Sequence, residues 1–174
     1  MTVLDRLIAH DAWTTRQLLL RCRELSDEKL HQNFDIGNKS LHHTFQHLIS
    51  CMERHVDLML ERTDQEAARS DDSVDSLLAR LSSVAKDFAQ FASKTDREGT
   101  ADDLCVSPDG DKFPKGSLIA HLITHSMHHR AQILYIMERL GIENGIEGDA
   151  LGWEGQARGW GYRWCGSYGD TVAE

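Results

Sequence analysis

The chain has only two prolines, Pro108 and Pro114, and both fall in one short stretch. Proline breaks helix interiors because it lacks an amide donor and its ring clashes with the preceding turn. The sequence on either side of this stretch is therefore free to form long helices, and its apolar residues are spaced to do so. Leu4, Leu7, Ile8, Ala12, Leu18, Leu19 and Cys22 predict a helix over roughly Val3 to Leu25. "LSDEKLHQNFDIGNKS" reads as a connection in which Ser26 caps a short turn. A second helix starts near Ser40, with Leu41, Phe45, Leu48, Met52, Val56 and Met59 as its stripe. Asp72 is the candidate cap of a third, lined by Val74, Leu77, Leu78, Leu81, Val84, Phe88 and Phe91. "SPDGDKF" is a turn, with a short hairpin around it. The fourth long helix runs from about Ser117 to Leu140, and Gly141 is its stop.

Four long helices joined by medium loops predict an all-α four-helix bundle. At 174 residues the chain has the length of one domain with a proper core. Residues 1–150 are expected to form the bundle. Residues 151–174 are expected to be an irregular Gly/Trp-rich tail packed on the same domain. That tail does not read as a regular helix; its tryptophans Trp153, Trp160 and Trp164 also suit a lid or a dimer contact. The fourth helix is apolar over a wide arc, with Ile119, Ile123, Met127, Leu134 and Met137 beside the main stripe, so a homodimer contact is a further expectation.

A formal charge of -9 argues against nucleic-acid binding through phosphate neutralisation and against an anionic membrane surface. No apolar run reaches transmembrane length, and the first residues lack a basic region followed by an apolar one. Cys22, Cys51, Cys105 and Cys165 include no CxxC pair, which fits reduced thiols and a cytoplasmic setting.

The chemistry concentrates in "HLITHSMHHR", which carries four of the ten histidines. His121 and His125 are four residues apart, as are His125 and His129, and residues at that spacing share a helix face. Projection places His129 in the apolar stripe and His125 at its margin, with His121 and His128 on the polar side. Two imidazoles one turn apart can converge on one metal ion, but a site needs at least one more ligand. The second helix offers His47, Cys51 and His55, and periodicity does not choose among them. Isolated HxxxH pairs are often structural, and a buried cysteine is usually a small core residue.

"SLHHTFQHL" followed far downstream by "LIAHLITHSMHHRAQILYIMERLG" resembles the DinB-like family of metal-binding four-helix bundles. "AWTTRQLL" resembles that family's early helix. Ser40, Thr44 and His47 match its first motif. His125, His129, Arg130, Ala131 and Gln132 match its second, with Ala131 where glycine is usual. The resemblance covers roughly the first 150 residues and omits the Trp-rich tail. It implies His47, His125 and His129 as ligands of a divalent metal, zinc or nickel, with water completing the sphere. It also implies a link to bacterial S-transferases that use bacillithiol or mycothiol. A metal-activated small thiol is thus the first functional expectation. A metal-dependent hydrolase and a non-catalytic, stress-related metal-binding module are the alternatives. Hydrolysis needs a base, and no HExxH motif supplies one; His43, His121 and His128 are weak candidates, while Glu53 projects away from His47. Gln132 projects near His125 and is a candidate to orient a ligand imidazole. Arg130 projects away from the metal side, as a structural ion pair would require.

Overall fold

The computed structural model describes residues 1–62, 72–142, 146 and 148–160. Its order is α1 (Val3–Arg21), a 3-10 turn (Cys22–Glu24), α2 (Asp27–His31), α3 (Leu41–Met59), α4 (Val74–Glu98), the strands β1 (Leu104–Val106) and β2 (Lys112–Pro114), α5 (Lys115–Arg139) and α6 (Ala150–Ala157). The termini follow from local chemistry. Thr2 and Asp5 form a reciprocal capping box at α1, Ser26 caps α2, and the hydroxyl of Ser40 accepts from the amide of His43 at α3. The α4 cap is Ser73, not Asp72. Asp72 is instead held by Arg80, at 2.8 Å, and by Gln46. α5 begins directly after Pro114. Its first amides, Lys115 and Gly116, donate to the carbonyls of Asp103 and Ala101 in the preceding loop. Gly141, with φ +68, ends it.

α1 packs on α4 and α5, and α3 packs on the same two helices, so the order around the bundle is α1, α4, α3, α5. The connections from α1 to α3 and from α4 to α5 therefore cross the bundle. The first crossing carries α2 and the second carries the antiparallel hairpin, in which Cys105 pairs with Phe113. This order makes α3 and α5 neighbours, and residues at the start of α3 meet the last half of α5. The core is built from Leu18, Phe45, Leu48, Met52, Leu81, Phe88, Leu122 and Ile133, all nearly solvent-free. Each large apolar side chain so buried contributes about 1.5–3 kcal/mol before entropy is counted.

The wide apolar arc of α5 is absorbed by this core. Ile119 and Met137 are buried, Ile123 and Leu134 pack against it, and of the five residues in question Met127 alone is well exposed. Residues 150–157 form a helix where composition suggests none. Asp149 caps it, and Trp153 is buried with its ring edge-on to His10, 6.2 Å between centroids. His10 Nε2–H donates to the carbonyl of Gly148, and Arg6 pairs with Glu154 at 3.3 Å, so α6 is pinned to α1. Trp160 is exposed beneath Arg158, and Trp164 and Cys165 lie outside the described residues. No helix among the described residues is long and apolar enough to cross a membrane. Cys22, Cys51 and Cys105 are free thiols.

Candidate metal centre

The Ser40–Thr44–His47 motif is explained by how α3 begins. Ser40 caps the helix, and Thr44, fully buried, donates its hydroxyl back to the Ser40 carbonyl at 2.6 Å. The first turn is thereby fixed, and His47 follows on the next one, facing α5. From α5, His125 and His129 face it in return. Ring centroids are 5.3 Å apart for His47 and His125, 4.7 Å for His47 and His129, and 4.4 Å for His125 and His129. One nitrogen of each ring lies within 4.8 Å of the others, an arrangement capable of coordinating a divalent metal ion.

The protonation pattern suits such an ion. Burial lowers the pKa of all three imidazoles; at His47 the nearby Arg54 adds to this, and at His125 the crowding by His129 and His47 brings it down to about 4. All three are therefore neutral at neutral pH, the state in which imidazole ligates metals. His129 Nδ1–H donates to Gln132 Oε1 at 2.9 Å, while Gln132 Nε2–H donates to His128 Nε2 at 2.9 Å. The carbonyl oxygen can only accept, so the proton of His129 sits on Nδ1 and its lone pair on Nε2. That nitrogen faces His125 Nε2 at 3.1 Å. Nδ1 of His125, on the far edge of that ring, is buried without a hydrogen-bond partner among the described residues. The donor set, its neutrality and the spacing of its nitrogens fit a bound divalent ion.

Gln132 orients His129 and not His125, to which simple projection assigns it. Three residues separate Gln132 from His129, and helical side chains lean toward the N-terminus, which brings the two together. Gly37 makes room for this amide: a β-carbon there would lie 2.3 Å from Gln132 Oε1. Arg130 does form a buried ion pair, with Asp11 of α1, and also reaches the hydroxyl of Thr15 at 3.3 Å. The early "AWTTRQLL" element thus meets the second motif through the residue next to His129.

Residues 1–148 match the model of the DinB family. The chain belongs to the DinB family. No curated protein matches it significantly. In this DinB protein the matched region ends before α6, the helix that carries Trp153.

The remaining candidates fall elsewhere. Cys51 and His55 do not join His47; they cluster with His121, which sequence projection leaves as a polar-face residue. Glu53 is buried and grips the guanidinium of Arg80 with both oxygens, at 3.1 and 2.8 Å, which turns it away from the histidines. A cavity of about 500 Å³ opens beside His47, lined among others by Lys39, His43, Ser50 and Arg54, with no carboxylate in its wall. Of the weak base candidates, His43 shares this cavity, whereas His128 is hydrogen-bonded to Gln132.

Proposed function

We propose that this DinB protein binds one divalent metal, zinc or nickel, through His47, His125 and His129, and uses it to activate a small thiol for transfer to an electrophile. The observation that carries this reading is the set of three neutral, converging imidazoles beside a substrate-sized cavity. An ion so held supplies Lewis acidity, which lowers the pKa of a bound thiol or water. The protein's own contributions are distinct. Gln132 holds the His129 ring in its ligating tautomer. Lys39 and Arg54 give the cavity positive charge suited to an anionic co-substrate.

Thiol activation is favoured over hydrolysis by what lines the cavity. Water attack on an ester or amide profits from a carboxylate base, and the wall contains none, with Glu53 committed to Arg80. A thiol needs only to lose a proton that a metal bound at the triad would make acidic. A non-catalytic metal module is the competing reading, and the two differ in whether an added ligand reaches the ion.

The test is cobalt substitution in a Cys51→Ser background, so that no sulfur band arises from the protein's own thiol at that position. Addition of a low-molecular-weight thiol should produce a sulfur-to-cobalt charge-transfer band, absent in His47→Ala. Cobalt that binds but ignores every thiol offered would favour the structural module.

A further inference from the structure

The side chains that the triad leaves unused form an array of their own. Cys51 and His55 follow His47 along α3 at four-residue intervals, and His121 precedes His125 on α5 by the same interval. α3 and α5 run antiparallel, so the two sets meet one turn beyond the first cluster. One donor atom each of Cys51, His55 and His121 lies within 4.8 Å of the other two. The rings of His55 and His121 are centred 5.0 Å apart, and His121 stands 5.3 Å from His125.

Two contacts prepare the cluster for an ion. His55 Nδ1–H donates to the carbonyl of Cys51 at 2.8 Å, which leaves the lone pair on Nε2. A backbone carbonyl holding the far nitrogen is how metal-ligating imidazoles are commonly oriented. The sulfur of Cys51, itself buried, sits 3.5 Å from that same Nδ1, which places it beside the His55 ring, while His121 is exposed and gives the cluster an open side. A cavity of about 480 Å³, lined by Arg54, His55, Asp57, Glu61 and Pro108 among others, adjoins it, with room for a further ligand.

We propose that Cys51 Sγ, His55 Nε2 and one nitrogen of His121 form a second metal site, distinct from the histidine triad and selective for thiophilic ions such as Zn²⁺ or Cu⁺. One thiolate and two imidazoles suit soft and borderline metals and disfavour Mg²⁺ or Ca²⁺. The thiolate also solves an electrostatic problem. The two centres are separated by roughly one helical turn, ~5.4 Å. Two dications so close repel strongly. A negative sulfur offsets part of that charge, which a second set of neutral imidazoles would not do. Burial pushes the Cys51 thiol up while Arg54 pulls it back, so the metal must displace a proton to bind.

The site is tested by titrating metal-free protein with Co²⁺ in the absence of added thiol. Wild type should take up about two equivalents, with a sulfur-to-cobalt charge-transfer band accompanying one of them. His47→Ala should lose one equivalent and keep the band. Cys51→Ser should lose the other and the band with it. His121→Ala removes an exposed side chain, so it tests the site without disturbing the core, and it too should lose the band. The proposal is overturned by a wild-type spectrum with no sulfur band, or by a band that survives Cys51→Ser. It is equally overturned by a band that disappears in His47→Ala, which would place Cys51 in the first centre.

Discussion

Replacing Arg130 with methionine should unfold this bundle more readily than any comparable change at its surface. Arg130 and Asp11 each have side chains 3% exposed, so their charges are almost fully removed from water. Burial pushes the Asp11 carboxyl up, and the charge and hydrogen bond of Arg130 pull it only part of the way back. In Arg130→Met the carboxylate keeps its burial and loses its counter-charge, which costs about 3–5 kcal/mol. Protonation of the stranded carboxyl limits the loss, so we expect roughly 3 kcal/mol at neutral pH. That is a large part of the ~5–15 kcal/mol available to a domain, and corresponds to a fall in Tm of roughly 6–12 °C. Urea denaturation followed by far-ultraviolet circular dichroism, with chelator present so that metal binding does not contribute, measures it. The double variant Asp11→Leu with Arg130→Met should recover most of the loss, because neither charge is then buried alone. A single variant within about 1 kcal/mol of wild type, or a double variant no more stable than the single, would show that the buried pair does not set this cost.

Other consequences follow from the contacts around the triad. Gln132→Leu should weaken zinc binding about 10–100-fold with little change in stability, since it removes the hydrogen bond that orients His129; competition with a chromogenic chelator reads this directly, and unchanged affinity would show that the amide is incidental. Gly37→Ala should cost about 1 kcal/mol for its φ of +44 and also weaken metal binding, because the new methyl group displaces the Gln132 amide. Acidification should destabilise the metal-free protein. His125 titrates at about 4 when folded and near 6.5 when unfolded, so below pH 6.5 the unfolded chain binds more protons. The neutral ring's contribution is thus complete above pH 6.5 and is lost as pH falls toward 4. For this partly solvated ring we expect a loss of about 1–3 kcal/mol. Urea melts from pH 7.5 to 4.5 should show this decline, and His125→Gln should flatten it; an equal slope in the variant would place the effect elsewhere.

Much of the bundle was legible because its signals are local. Ser26, Ser40 and Gly141 mark helix ends through hydrogen bonds or backbone angles that their own chemistry dictates, and the apolar stripes of α1, α3, α4 and α5 repeat at helical spacing. The α4 cap was misplaced by one residue because Asp72 has a better use, pairing with an arginine two turns into the same helix. α6 was hidden for a different reason. Its glycines and tryptophans argue against a helix in isolation, and burial of Trp153 against α1 outweighs that propensity. At the site, the His125–His129 pair could be seen in the sequence, since both lie on one helix. Its partner could not be read from periodicity, because His47, Cys51 and His55 repeat every four residues and lie close together on α3. Which of them meets which turn of α5 depends on how the two helices are set against each other, and that is a tertiary fact. The same limit concealed Asp11 as the partner of Arg130 and left His121 on the polar face, although it stands over Cys51 and His55.

Metal content tests the histidine triad most directly. Elemental mass spectrometry on untagged protein in the Cys51→Ser background, alone and combined with His47→Ala or His125→Ala, counts the ion at the triad and no other. About one equivalent of zinc or nickel is expected in the parent and none in either combination. A parent that stays empty after reconstitution, or metal that remains when His47 is gone, would contradict it.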